Sequence, residues 1–191
     1  MARPRSRDVF VALSAILAIV AIAFDTGCGG KDPYRPGESL GVFRVTGSLV
    51  KTTCGSTPNP WAFDVKLRHD RSTLYWVQGD APVSAIADPT AHAVLKSGAV
   101  NTVRPANEKT KTAACTLART DVVDLMLAPV AAPGTNDLGG TTSFKGTLTY
   151  RFAPTEGSSC DDQLVDSGGG YAALPCEVHY ELSGTRTGDA K

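Results

Sequence analysis

The chain has 191 residues, 42% of them hydrophobic, with 19 basic and 19 acidic side chains and a formal net charge of zero. Such a balance gives no electrostatic footprint for nucleic acid and no polybasic patch for anionic lipid. The length suits one domain with a core of its own after removal of a leader.

Arg3, Arg5 and Arg7 open the chain, Val9 to Phe24 is an unbroken run of 16 apolar or small residues, and Thr26-Gly27-Cys28 closes it. That order matches a bacterial secretion signal ending at a lipid-modifiable cysteine. The run is shorter than the roughly 20 residues of a spanning helix, which disfavours a permanent transmembrane anchor. Residues 1–27 are therefore expected as a leader, with a diacylglyceryl thioether on Cys28. A second route stays open, because Asp25 stands where a lipobox usually carries Leu and Ala21-Ile22-Ala23 offers ordinary cleavage after Ala23. The first route predicts a cell-envelope lipoprotein. Gly29 is not the Asp that retains enteric lipoproteins at the inner membrane, which points to the outer one. The second route predicts a secreted or soluble periplasmic protein.

Cysteine parity favours the lipid. The five cysteines are Cys28, Cys54, Cys115, Cys160 and Cys176. With Cys28 acylated, four remain to close two disulfides in an oxidising compartment. No two are spaced as a CxxC redox or zinc motif. Loss of residues 1–27 leaves 16 basic against 17 acidic residues, a net charge of −1, so membrane attachment rests on the lipid.

Residues 28–39 form the expected tether, since Gly29 to Ser39 is rich in Gly and Pro and lacks periodicity. A single β domain is expected over 40–187, with a disordered tail over 188–191. Phe43, Val45 and Leu49 share one face against Arg44, Thr46 and Ser48. Trp61, Phe63, Val65 and Leu67 alternate with Ala62, Asp64, Lys66 and Arg68. A turn at His69–Ser72 leads into Thr73–Val77, which predicts a hairpin. Short strands are expected at Val83–Ala87, Ala91–Lys96 and Val100–Arg104, the last ended by Pro105.

Ala113–Ala128 suggests a long strand with a bulge near Thr120-Asp121, a helix over Thr120–Leu127 being the alternative. Phe144, Gly146, Leu148, Tyr150 and Phe152 then share a face, as do Cys176, Val178, Tyr180 and Leu182. The fold class that follows is all-β, an antiparallel meander of about 7–9 strands. A small barrel is favoured over a β-sandwich, because sequential hairpins with few long crossovers close more readily on themselves.

Four cysteines allow three pairings. Cys160–Cys176 with Cys54–Cys115 needs the least long-range assumption. Cys54–Cys176 with Cys115–Cys160 suits a barrel in which the first and last strands meet.

Few patterns offer chemistry. Glu177, His179 and Glu181 alternate onto one face and could hold a divalent ion, but no fourth ligand accompanies them, so a solvated outer face is expected. His69 and His92 lie near no recognised nucleophile. Cys160-Asp161-Asp162, Asp166 and Gly168–Gly170 lack calcium-loop spacing, and a flexible loop closed by a disulfide is the plainer reading. Gly-x-Ser-x-Gly, His-Glu-x-x-His and P-loop motifs are absent from the sequence. No cofactor and no metal site is expected. Trp61, Phe63, Trp76, Phe144, Tyr150, Phe152 and Tyr180 could line a ligand cavity, against the plainer expectation that they fill a core.

The segments Gly41–Leu49, Cys54-Gly55, Trp61–Val65, Thr73–Trp76, Phe144–Tyr150 and Gly169–Cys176 together resemble uncharacterised predicted lipoproteins of the myxobacterial type. The resemblance implies a cell-envelope address and a shared cysteine framework, and carries no activity. A non-catalytic binding or structural β module is therefore expected, with membrane contact through its lipid. Its candidate partners are a small ligand, a glycan or an envelope protein. The alternative is a secreted hydrolase or isomerase using carboxylates such as Asp161, Asp162 or Glu177, which needs a cleft with perturbed acids.

Overall fold

The computed structural model describes residues 36–129 and 138–189. The expected leader, Cys28, the cleavage point after Ala23, most of the tether and the last two residues of the tail lie outside them.

Eight strands follow in chain order: β1 (Glu38–Thr52), β2 (Trp61–Asp70), β3 (Thr73–Val77), β4 (Val83–Ile86), β5 (His92–Arg104), β6 (Cys115–Ala128), β7 (Ser143–Pro154) and β8 (Cys176–Gly188). They form one antiparallel sheet in the order β4-β3-β2-β1-β8-β7-β6-β5, curled into a nearly closed barrel. The first and last strands pair along most of their length, from Val42 opposite Gly188 to Thr52 opposite Val178. The gap in the wall lies mid-chain instead, between β4 and β5, whose edges approach without a ladder.

Alternation selects the inner face. Phe43, Leu67, Leu74, Leu95, Leu125 and Phe144 are fully buried and fill the barrel with side chains, as an eight-stranded wall permits. Two inward glycines make room for this. A Cβ at Gly184 would strike the Phe144 ring, and one at Gly146 would strike the Asp124 carbonyl and Leu125. Phe144 rests on Phe43 and Trp76 at ring separations of 5.7 and 5.9 Å.

Three sequence expectations change. Ala91–Lys96 and Val100–Arg104 belong to one strand, β5, which pairs with β6 from His92 to Arg104 with one register shift near its end. Strand β6 has neither a bulge nor a helix at Thr120-Asp121; its register against β5 and β7 is continuous there. The apolar phase never breaks, since Cys115, Leu117, Val123, Leu125 and Leu127 are all buried on the same face. Only the residue type changes, to Arg119 and Asp121 at the two inward positions between them.

The cysteines pair as Cys54–Cys176 and Cys115–Cys160, not as Cys160–Cys176 with Cys54–Cys115. The β1–β8 ladder brings Thr52 opposite Val178, so the residues just beyond, Cys54 and Cys176, meet across that pair. The Asp161–Pro175 segment is thus not closed by its own disulfide. It carries short 3-10 turns at Asp161–Gln163 and Val165–Ser167, and Ala172 N–H donates to the Cys54 carbonyl at 2.9 Å.

Strand direction sorts the two ends. The chain enters β1 at the base, where Arg68 donates to the Pro36 and Gly37 carbonyls at 2.9 and 2.6 Å. The β2–β3 and β4–β5 turns are at the base too. Both disulfides and the β1–β2, β3–β4, β5–β6 and β7–β8 loops gather at the far end.

Candidate functional site

The main apolar filling is interrupted towards that far end, which we call the mouth and where Cys115, Leu117 and Cys160 form a small buried cluster of their own. β4 has 4 residues against 13 in β5, so no strand covers the wall beside Ser97. A cavity of about 180 Å³ opens there, lined by Trp76, Gln78, Val83, Ser97, Asp121 and Tyr150 among others. A second hollow of about 340 Å³ adjoins it, with Thr57, Trp61, Arg119, Tyr150, Phe152 and Tyr180 in its wall. Tyr150 belongs to both.

β6 places a charged pair between them. Arg119 donates to Asp121 through Nε at 2.7 Å and through Nη2 at 2.8 Å, a two-point ion pair between neighbouring inward positions of one strand. Its guanidinium lies 4.4 Å from the centre of the Tyr150 ring, within cation–π range. Partial burial pulls the Arg119 pKa down, but the hydrogen bonds and charge of Asp121 outweigh this and hold it above its ordinary value. Burial of the Tyr150 hydroxyl pushes its pKa up to about 12, against the pull of Arg119. The arginine therefore stays cationic and the phenol neutral. The pair is partly open to solvent, with 44% of the Arg119 side chain and 20% of the Asp121 side chain exposed.

Aromatic rings wall the larger hollow. Trp61 stands 5.9 Å from Tyr150, 5.5 Å from Tyr180 and 4.5 Å from Phe63. Tyr180 donates its hydroxyl to the Pro58 carbonyl at 2.9 Å, which fixes the β1–β2 loop against the rim. The Thr57 hydroxyl oxygen, in that loop, is buried with no hydrogen-bond partner among the described residues.

The seven aromatic residues singled out from the sequence thus divide. Trp61, Tyr150, Phe152 and Tyr180 line the larger hollow, and Trp76 the smaller. Phe63 stacks behind Trp61, and Phe144 is deep in the filled part. Arg119, Asp121, Thr57 and Gln78 went unnoticed. The signal for the first two was present, as charged residues in apolar phase.

The remaining candidates lie elsewhere. His179 sits opposite Thr149 with its Nδ1 2.9 Å from the threonine hydroxyl. His92 Nε2 lies 2.8 Å from Asp124, and His69 Nε2 is 4.0 Å from Glu38. Among the described residues no three His, Cys, Asp or Glu side chains converge as metal ligands. Asp162 pairs with Arg104 at 2.7 Å, and this hydrogen bond holds its carboxyl below the usual range. A general acid needs the opposite shift.

Fold and site together define a small antiparallel barrel, filled through its middle, with an aromatic hollow and an internal ion pair at one end. No protein-family model, curated protein or solved structure matches the chain.

Proposed function

We propose that this chain is a non-catalytic binding module of the bacterial cell envelope, tethered through an acylated Cys28 and using the barrel mouth to hold its ligand. One observation carries the reading: in the inward phase of β6, where the other positions are Cys, Leu and Val, Arg119 and Asp121 form a half-open ion pair at the mouth. A barrel serving only as scaffold gains more from apolar side chains there, because an ion pair even partly withdrawn from water recovers little of its desolvation cost. Functional sites are where such departures from core chemistry concentrate.

The tethered address rests on the basic leader, its apolar run and the odd cysteine count. The two disulfides suit an oxidising compartment.

Two measurements test this. Intact mass of the mature protein should show Cys28 at the N-terminus carrying acyl chains; an unmodified start at Phe24 rejects the anchor. A thermal-shift screen against polysaccharide, peptidoglycan fragments and lipids should yield a saturable stabilisation. A ligand at 100 times its Kd adds about 2.7 kcal/mol. No shift with any of these rejects the binding role.

A further inference from the structure

Resting on the binding reading above, we infer that the larger hollow at the barrel mouth takes one ring of an uncharged glycan, stacked on Trp61 and hydrogen-bonded by the free donors of Arg119.

The chemistry of the wall selects the ligand. The wall is aromatic, and of its rings the half-buried Trp61 and Phe152 remain open to stack on the polarised C–H face of a sugar, Tyr180 being buried and Tyr150 covered by Arg119. The ion pair selects against charge. Two hydrogen bonds of 2.7 and 2.8 Å already neutralise both partners. A carboxylate or phosphate on the free guanidinium donors would add a negative charge that no cation balances, and an ammonium on the Asp121 carboxylate would add an unbalanced positive one. Either leaves a charge unpaired in a partly desolvated hollow.

An apolar ligand fails for the converse reason, since it would cover the pair without satisfying its remaining hydrogen-bonding capacity. That capacity is considerable. Asp121 takes two of the five N–H donors of Arg119, so donors remain, as do carboxylate lone pairs. A sugar hydroxyl in the larger hollow can accept from the guanidinium, while Asp121, which lines the smaller cavity, holds that guanidinium in place.

The volume of about 340 Å³ lies near the lower end of the roughly 300–1,000 Å³ typical of small-molecule sites, which suits one ring with the chain continuing outward.

The test uses the full mature chain in a detergent without a sugar headgroup. The probes are neutral trisaccharides of hexoses and of N-acetylhexosamines, a trisaccharide of uronic acids, and indole. Binding is followed by tryptophan fluorescence and saturation-transfer NMR. At least one neutral trisaccharide should bind saturably, and at least tenfold more tightly than the uronic acid probe. Trp61→Leu and Arg119→Gln should each weaken it tenfold or more. Arg119 is partly exposed, so its variant keeps the test decisive if Trp61→Leu disturbs folding. Preference for the uronic acid, or binding undiminished in a folded Arg119→Gln protein, overturns the inference. Saturable binding of indole alone overturns the glycan and leaves a binding module. Silence from every probe overturns both.

Discussion

Arg119 and Asp121, two residues apart on the inner face of β6, form a two-point ion pair inside a barrel whose other inward positions on that strand are Cys, Leu and Val. Its position at the mouth gives it a consequence for stability. Replacing both residues by apolar ones, as in Arg119→Met with Asp121→Leu, should leave the chemical denaturation midpoint unchanged or raise it. Buried pairs exchanged for apolar side chains are neutral to stabilising by about 1–4 kcal/mol, and this half-open pair belongs at the low end. A loss above about 2 kcal/mol would make the pair part of the scaffold.

Tyr150 should report the mouth through its ionisation. Burial holds its phenol up to about 12, above the ordinary 10.0. The unfolded chain therefore releases this proton first as pH rises. The stability is intact below pH 10 and is lost progressively as pH climbs towards 12. Absorbance titration should show a tyrosine transition near 12 that disappears in Tyr150→Phe. That variant should also lose less stability over this window.

The disulfides should differ in their effect. Cys54–Cys176 spans 122 residues of sequence and Cys115–Cys160 spans 45. In the chain-entropy account, removing the first by double Ala substitution costs about 5 kcal/mol and removing the second about 4 kcal/mol. Non-reducing peptide mapping should recover these two linkages. Recovery of a Cys160–Cys176 peptide would contradict the β1–β8 closure.

Gly184 is the sharpest steric test. Its missing Cβ leaves room for the Phe144 ring, which is 2% exposed and cannot swing aside. Gly184→Ala should cost about 1–3 kcal/mol in thermal or chemical denaturation, through overpacking alone.

Arg104 ties the end of β5 to the β7–β8 connection, donating to Asp162, to the Ala113 carbonyl at 2.8 Å and to the Ser159 carbonyl at 2.7 Å. Asp162 is held below its ordinary 3.8, so its contribution is present above that pH and fades as pH falls through the lower folded value. Arg104→Ala should speed amide exchange over residues 159–163 at pH 6, and the gap to the wild-type chain should narrow, without closing, as the carboxylate is protonated, since the two carbonyl bonds of Arg104 remain.

Much of this architecture was legible in the residues alone. Period-2 alternation placed β1, β2, β7 and β8 and their inner faces, because a half-buried strand must segregate its side chains every second residue, and the turn at His69–Ser72 placed β3. The same rule misled at Thr120-Asp121. Two charged residues in apolar phase resemble an interruption, and only continuous pairing with β5 and β7 distinguishes an inward ion pair from a bulge.

By itself, the order of residues determined the class of fold, the number of disulfides and which aromatic rings turn inward, since each follows from local alternation and composition. Tertiary structure decided what depends on residues far apart in the chain. It brought Cys54 to Cys176, set the seam at β4 and β5, and gathered Trp61, Arg119 and Tyr150 round one hollow. Strand register and barrel closure are global properties. No local pattern encodes which ends will meet.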